Sequence, residues 1–288
     1  MSGAATSLLL IDGHAAAYRF FHGIRPMTTQ SGVPVHAVFG LIRVLQQFRS
    51  QFMPTHIAVA FDGGLPANRL SLVPEYKAQR KPMPDDLRAQ LPIMQEYLTA
   101  AAIPCFCQDA VEADDVIATL AARASGRVLI GTSDKDLFQL VSERVSIIPL
   151  SGQAVCLDPA GVKVKTGVGP EQIPDWLALT GDAADNIGGV PGVGPKTAAA
   201  LLQQFGSLEE IYLHLDQVTR ENLRQALAQH REVVQRNRQM VLLDTEIDGL
   251  PDFDALACTR EPVSTLQAFY EKYEFRAFAQ KLRAPELF

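Results

Sequence analysis

The sequence lacks an excess of positive charge, a zinc-type cysteine spacing, a basic leader, a membrane-length apolar run and any internal repeat. Each absence removes a class of protein. Cys105, Cys107, Cys156 and Cys258 are scattered, and only the first two are close. Cys-x-Cys inside an apolar run places both on one face of a strand rather than at a zinc site. A reduced, cytoplasmic protein is the expectation. The apolar stretch that begins the chain has no basic residues before it and ends at Asp12, so it reads as a buried strand rather than a signal peptide. No run approaches the length that spans a bilayer, and no membrane partner is expected. The net charge of −6 speaks against nucleic-acid binding at face value. That objection fails if the acids are gathered where bound cations cancel them.

The 288 residues are enough for one large domain or two small ones. Apolar runs at Ser7 to Ile11, His56 to Phe61, Pro104 to Cys107 and Arg127 to Gly131 alternate with helical patterns, including Pro34 to Phe52, Pro84 to Ala101 and one opening at Glu112. Such alternation predicts an α/β fold, a mostly parallel sheet with helices on both faces. Residues Gly64 to Pro84 read as irregular, and no strand is expected after about residue 157. From about Pro170 the pattern is helical. This divides the chain into an α/β core, 1–170, with a distinct segment at about 64–100, and a helical part, 171–288.

Nine acids fall into five groups among apolar neighbours: Asp12; Asp62; Glu112, Asp114 and Asp115; Asp134 and Asp136; Asp182 and Asp185. Singly, each has an ordinary explanation: a turn after a strand, a carboxylate at a helix N-terminus, a cap, a loop acid. Jointly they require several coincidences at one sheet edge, where sites in such folds lie. Carboxylates flanked by core residues need neutralising. An all-oxygen donor set suits two Mg²⁺ or Mn²⁺ ions, which support in-line phosphoryl displacement.

Two further features point to nucleic acid. Gly192-Val193-Gly194, followed by Lys196 and Thr197, joins two helical stretches. Glycines there permit a tight turn and a close approach of backbone N–H groups to phosphate, as in a helix-hairpin-helix. An ordinary glycine-capped turn between helices is the alternative. The irregular segment carries Arg69, Tyr76, Lys77, Arg80 and Lys81. A lid of this kind would hold a single strand through phosphate contacts and stacking on Tyr76; a solvated loop is the alternative.

Together these motifs resemble the 5′ nuclease family, which includes flap endonucleases and the N-terminal nuclease domain of bacterial DNA polymerase I. The likeness runs in order through Leu9-Leu-Ile-Asp-Gly, Ala17-Tyr-Arg-Phe, Ala60-Phe-Asp-Gly, Tyr76-Lys-Ala-Gln-Arg, Glu112-Ala-Asp-Asp-Val-Ile-Ala, Ser133-Asp-Lys-Asp-Leu, Leu179-Thr-Gly-Asp-Ala-Ala-Asp-Asn and Val190-Pro-Gly-Val-Gly-Pro-Lys-Thr-Ala. It implies a PIN-like core, a helical arch, and a helix-hairpin-helix that holds duplex DNA and often a K⁺ ion. It further implies a first metal cluster of Asp12, Asp62, Glu112 and Asp114, and a second of Asp115, Asp134, Asp136, Asp182 and Asp185. Lys77 and Arg80 would contact the scissile phosphate. Gly64 and Leu70 stand where family members commonly carry a basic residue, and Gly188 where proline is frequent. The polymerase-fused members continue beyond about the last residue of this chain, so it is expected to be either a freestanding enzyme or one domain of a longer one. The implied activity is metal-dependent 5′→3′ exonuclease and flap endonuclease action on DNA, by a monomer, in replication and repair. A PIN-type ribonuclease and a non-catalytic junction binder are the competing readings.

Overall fold

The computed structural model describes residues 6–152 and 155–283. The α/β part comprises β1 (Ser7–Asp12), α1 (Gly13–Gly23), α2 (His36–Phe52), β2 (His56–Phe61), α3 (Ala67–Leu72), α4 (Asp85–Arg88), α5 (Gln90–Ala100), β3 (Cys105–Cys107), α6 (Ala113–Arg123), β4 (Arg127–Gly131) and β5 (Val145–Ile148). The rest comprises α7 (Pro159–Thr166), α8 (Ile173–Thr180), β6 (Gly181–Asp182), β7 (Ile187–Gly188), α9 (Pro195–Phe205), α10 (Leu208–Leu213), α11 (Glu221–Gln229), α12 (Arg231–Val241), α13 (Val263–Lys272) and α14 (Arg276–Arg283).

The first five strands form one parallel sheet in the order β3-β2-β1-β4-β5. Central strands of such a sheet are covered on both faces, which is why β1 and β2 are apolar at every position between their ends rather than alternating. Alternate residues nevertheless serve opposite layers. Leu8, Leu10, Ala58 and Ile130 face a core shared with α6, α8, α9 and α12. Leu9, Ile11, Val59 and Leu129 face one shared with α1, α2, α5, α13 and α14. The helical part thus extends the core of one sheet face, while its last two helices return to the opposite face.

The order has a mechanical consequence. From β1 the chain steps one way through β2 to β3, and β4 and β5 lie on the other side. The direction reverses between β1 and β4, and a crevice opens outside the carboxyl ends of strands at such a switch. Asp12 ends β1 at that point, and Gly131 leads from β4 into Thr132-Ser133-Asp134.

Several elements differ from the sequence expectation. The irregular 64–84 stretch contains α3, and the expected helix from Pro84 to Ala101 is divided at Ala89 into α4 and α5. Pro92 has no N–H to continue the ladder, which accounts for the break just before it. Strand β5 and helix α7 were not expected, and β6 pairs antiparallel with β7 inside the part read as all-helical. No described helix is long and apolar enough to cross a membrane. All four cysteines are free.

Candidate active site

Asp12 does two jobs at the end of β1. One carboxylate oxygen caps α1, accepting the Ala15 N–H at 2.9 Å, and the other accepts the Thr132 hydroxyl at 2.9 Å. Thr132 in turn accepts the Asp134 N–H at 3.0 Å, so one hydroxyl aligns acids from β1 and from the loop after β4. Gly13 has to be glycine for a packing reason: a Cβ there would lie 2.6 Å from the Phe61 ring. Asp62, just past β2, accepts the Ala113 N–H at the start of α6 at 2.8 Å. Its own N–H donates to His14 Nδ1 at 3.0 Å, which requires that nitrogen to be unprotonated. Burial lowers the His14 pKa against the opposing charge of Asp62, in keeping with a neutral ring.

Asp12, Asp62, Asp114 and Asp134 line a cleft of about 650 Å³ together with His14, Tyr18, Arg19, His22, Lys77 and Arg80. Behind it lies a void of about 10 Å³ lined by Glu112, Asp114, Asp136, Asp185, Arg69 and Tyr76, so Asp114 borders both spaces. The two spaces divide the acids: Asp134 lines the cleft with Asp12 and Asp62, and Glu112 lines the void with Asp136 and Asp185. Asp182 lines neither space; it is buried, accepts the Ala184 N–H at 2.9 Å and pairs with Lys135 at 3.2 Å.

The electrostatics show what the cluster lacks. Burial pushes the Asp12 carboxyl up to about 7, with the charge of Asp62 adding to the shift and hydrogen bonds from Ala15 and Thr132 opposing it. Burial and neighbouring carboxylates also raise Asp134, and raise Asp114 and Asp136 well above the usual range. Asp136 Oδ1 is buried without a hydrogen-bond partner. A buried oxygen without a partner, among carboxylates that resist ionising, is what an oxygen-seeking cation relieves, so the donor set fits hard divalent ions. Among the described residues no three such side chains are gathered tightly enough to hold an ion as they stand. The inner acids are instead drawn onto cations of the protein. Lys77 pairs with Glu112 and lies 3.7 Å from Asp185, while Arg80 pairs with Asp185.

Three residues expected to face DNA do not. Arg69 is 5% exposed and Tyr76 4%. Arg69 is turned onto Glu112 and Asp115, and the Tyr76 hydroxyl donates to Glu112 at 3.1 Å and Asp185 at 3.2 Å. Neither side chain offers a surface to a single strand, because buried carboxylates claim them. Val193 is 5% exposed, its side chain in the core and its N–H donated to the Val190 carbonyl at 2.9 Å. Lys77 and Arg80 line the cleft, while Lys81 is exposed. The base of the basic segment is stitched to the 183–186 loop. The Lys77 N–H donates to the Asp185 carbonyl at 3.1 Å, Arg80 Nε to the Ala184 carbonyl at 3.3 Å, Gln79 to the Ala183 carbonyl, and Asn186 to the Glu75 carbonyl at 2.9 Å.

At the glycine hairpin, Gly192 has φ +79°, a turn conformation that favours glycine. Gly194 has φ −93° at the N-cap of α9, and a Cβ there would meet nothing within 4 Å. Neither strain nor packing calls for glycine at 194. Its absent side chain leaves the start of α9 bare, with Lys196 exposed and Thr197 half-buried beside it.

Sequence reasoning missed His14, Thr132 and Lys135, and gave no role to the cleft wall formed by Tyr18, Arg19 and His22. The signal was present for Tyr18 and His22, four apart on α1 and stacked with ring centroids 6.3 Å apart. Thr132 had none beyond its place two residues before Asp134.

Two family models match consecutively. Residues 7–167 match the 5′-3′ exonuclease N-terminal resolvase-like domain, and residues 168–263 the 5′-3′ exonuclease C-terminal SAM fold. A 5′-3′ exonuclease of Aquifex aeolicus is 35% identical over 279 residues, covering 96% of this chain and 95% of that protein. DNA polymerase I of Pseudomonas aeruginosa is 41% identical over 286 residues; the match takes in 96% of this chain but spans only 31% of the polymerase's length. Among solved structures, T5 5′-exonuclease with divalent zinc bound has a TM-score of 0.71 at 24% identity, covering 93% of this chain and 98% of that one. The T5 flap endonuclease in a complex with DNA and metal ions has a TM-score of 0.66 at 23% identity, covering 96% and 97%. At those identities the likeness is one of fold.

Proposed function

The chain belongs to the 5′-3′ exonuclease family, and from that premise we propose that it is a structure-specific 5′ nuclease hydrolysing phosphodiester bonds in 5′-ended or branched DNA. The observation that carries this reading is the meeting of acids from β1, β2, α6 and the loop after β4 on one cleft at the sheet's switch point, with Lys77 and Arg80 on its wall. Two divalent ions there, Mg²⁺ or Mn²⁺, would supply the charge that activates water and offsets the charge of the leaving oxygen. Asp12, Asp62, Glu112, Asp114, Asp134, Asp136, Asp182 and Asp185 are the residues proposed to hold them. Some act through water, since the inner acids are turned onto cations of the protein.

The chain's own groups divide the remaining work. Thr132 and His14 orient Asp12 and Asp62. Lys77 and Arg80 place positive charge on the cleft where a phosphate would enter. Lys81 lies on the exposed side of the same segment. The bare start of α9, with Gly192, Gly194, Lys196 and Thr197, is proposed to receive a duplex phosphate backbone without reading bases. K⁺ at this hairpin is proposed on the family resemblance. The boundary near residue 170, action as a monomer, a cytoplasmic setting and a part in replication and repair belong to the same proposal.

The test is incubation with Mg²⁺ and labelled 5′-flap DNA, single-stranded DNA and RNA, before and after exhaustive chelation. Cleavage of the flap substrate that stops on chelation is expected, with part of the DNA affinity surviving. Cleavage undiminished by chelation removes the metal mechanism, and cleavage confined to RNA replaces this reading with that of a ribonuclease.

A further inference from the structure

Arg69 is the most heavily engaged side chain near the acids, and its partners lie far apart in sequence. Nε donates to the Met240 carbonyl at 3.0 Å. One terminal nitrogen serves Glu112 and, at 2.8 Å, Asp115. The other serves Asp115 at 2.8 Å and the Leu242 carbonyl at 3.2 Å. A guanidinium has five N–H donors in a fixed fork, and here each has an acceptor.

The partners are of two kinds. Glu112 is the residue at the N-cap of α6 and Asp115 lies in its first turn. Met240 and Leu242 lie at the end of α12, where backbone carbonyls have no helical partner and a cation is favoured. Helix α12 in turn grips the segment that carries the remaining acids. Asn237 donates to the Ala178 carbonyl of α8 at 3.1 Å and to the Gly188 carbonyl of β7 at 2.7 Å, and β7 closes the loop bearing Asp182 and Asp185.

Asp115 is equally committed. One of its oxygens accepts both Arg69 and the Asp244 N–H at 2.9 Å, and the other accepts Arg69. Its counter-charge and hydrogen bonds are supplied from within the protein, in contrast to Asp136 with its orphaned oxygen.

We propose that Arg69 is a positioning residue that sets the spacing between the acids of α6 and those of the 181–188 loop, with Asp115 as its counter-ion rather than a metal ligand. The inference rests on the nuclease reading for what the acids hold. It concerns how they are held. Lysine cannot substitute, because a single ammonium cannot fork between a carboxylate and two carbonyls.

Metal binding tests it without reference to turnover. Mn²⁺ affinity is measured by electron paramagnetic resonance of the free ion for the parent, Arg69→Lys, Arg69→Gln, Asp115→Asn, Arg69→Lys/Asp115→Asn and Asp134→Asn, with folding checked by circular dichroism. Outer-shell partners of metal ligands are typically worth about 10–100-fold in affinity. Arg69→Lys and Asp115→Asn are each expected to weaken binding in that range, and the double variant no further than the worse single, since both break one unit. Arg69→Gln should also weaken it, although removing a positive charge would by Coulomb's law alone tighten cation binding. Asp134→Asn should exceed all of these.

Parental affinity in Arg69→Lys, or additive losses in the double variant, overturns the positioning role. A loss in Asp115→Asn as severe as in Asp134→Asn overturns the counter-ion role, and that comparison stands even where Arg69 variants fail to fold. A parent protein that binds no Mn²⁺ overturns the metal reading itself and this inference with it.

Discussion

The Lys77 ammonium rests on the Glu112 carboxylate, held there by a backbone with φ +56° whose own N–H is bound to the Asp185 carbonyl. Left-handed backbone at a non-glycine residue is uncommon and concentrates at functional sites. Glu112 and Asp185 outweigh burial and raise the Lys77 pKa, so the group stays charged. If it acts on the reacting phosphate, its contribution grows in the transition state. Lys77→Ala and Lys77→Met should then lower the single-turnover rate by roughly 10²–10³ while ground-state DNA affinity changes little. A drop of only a few-fold retires the catalytic role of Lys77.

Asp134 and Asp136 should behave in the opposite sense toward DNA. Asp134→Ala or Asp136→Ala removes a proposed ligand and should cut single-turnover cleavage severely. Affinity for the same flap substrate should hold or increase, because an acid that repels phosphate is gone. Near-parental cleavage by both variants would sink the two-metal reading.

What the sequence revealed, and what it did not, follows from range. β1, β2 and β4 are legible because parallel central strands are apolar on both faces, and their terminal acids fall at the ends of those runs. The glycine hairpin is legible as local composition. Arg69 and Tyr76 are not, because a basic or aromatic residue in an irregular stretch carries no sign of where it points. Their direction is decided by carboxylates and carbonyls 36 to 173 residues away. Val193 misleads for a related reason: the flanking glycines mark a surface turn, yet the residue between them packs inward. Strands β6 and β7, two residues each, are too short for any period to register.

The metal-free protein should lose stability as pH rises through the neutral range. Burial holds the folded-state pKa of Asp12 at about 7, against an ordinary carboxyl value of 3.8. The folded chain therefore holds more protons than the unfolded one between those values, so the unfolding free energy falls with increasing pH. This contribution is complete below 3.8 and gone above about 7, and the raised Asp114, Asp134 and Asp136 act in the same direction. Melting temperatures in chelator should decline from about pH 5 to pH 8. Added Mg²⁺ should flatten the decline, since metal binding releases the same protons. Asp12→Asn should flatten it without metal. A chelated parent whose melting temperature rises across that range contradicts the assignment.

The hairpin is tested more cleanly at Gly194 than at Gly192. A side chain at 192 would be strained by the positive φ of that residue, whereas 194 has an ordinary φ and open space around it. Gly194→Val should leave the melting temperature near parental, weaken duplex binding, and slow cleavage of already bound substrate much less. Equal duplex affinities for variant and parent across a salt titration would remove the phosphate-binding role.

The stitching of the basic segment to the 183–186 loop bears on how such enzymes diversify. The carbonyls of Ala183, Ala184 and Asp185 receive Gln79, Arg80 and Lys77, so at 183 and 184 the loop side of the seam is written in main chain, with the side chains of Asp185 and Asn186 completing it. Main-chain acceptors persist whatever side chains they carry. Loop identities at 183 and 184 are thus free to drift without unfastening the seam, and segment 64–84 is a cassette. Exchanged between relatives, it should seat itself wherever the loop keeps its path, with Glu112, Asp115, Asp185 and Asn186 as the side chains the graft must find in place.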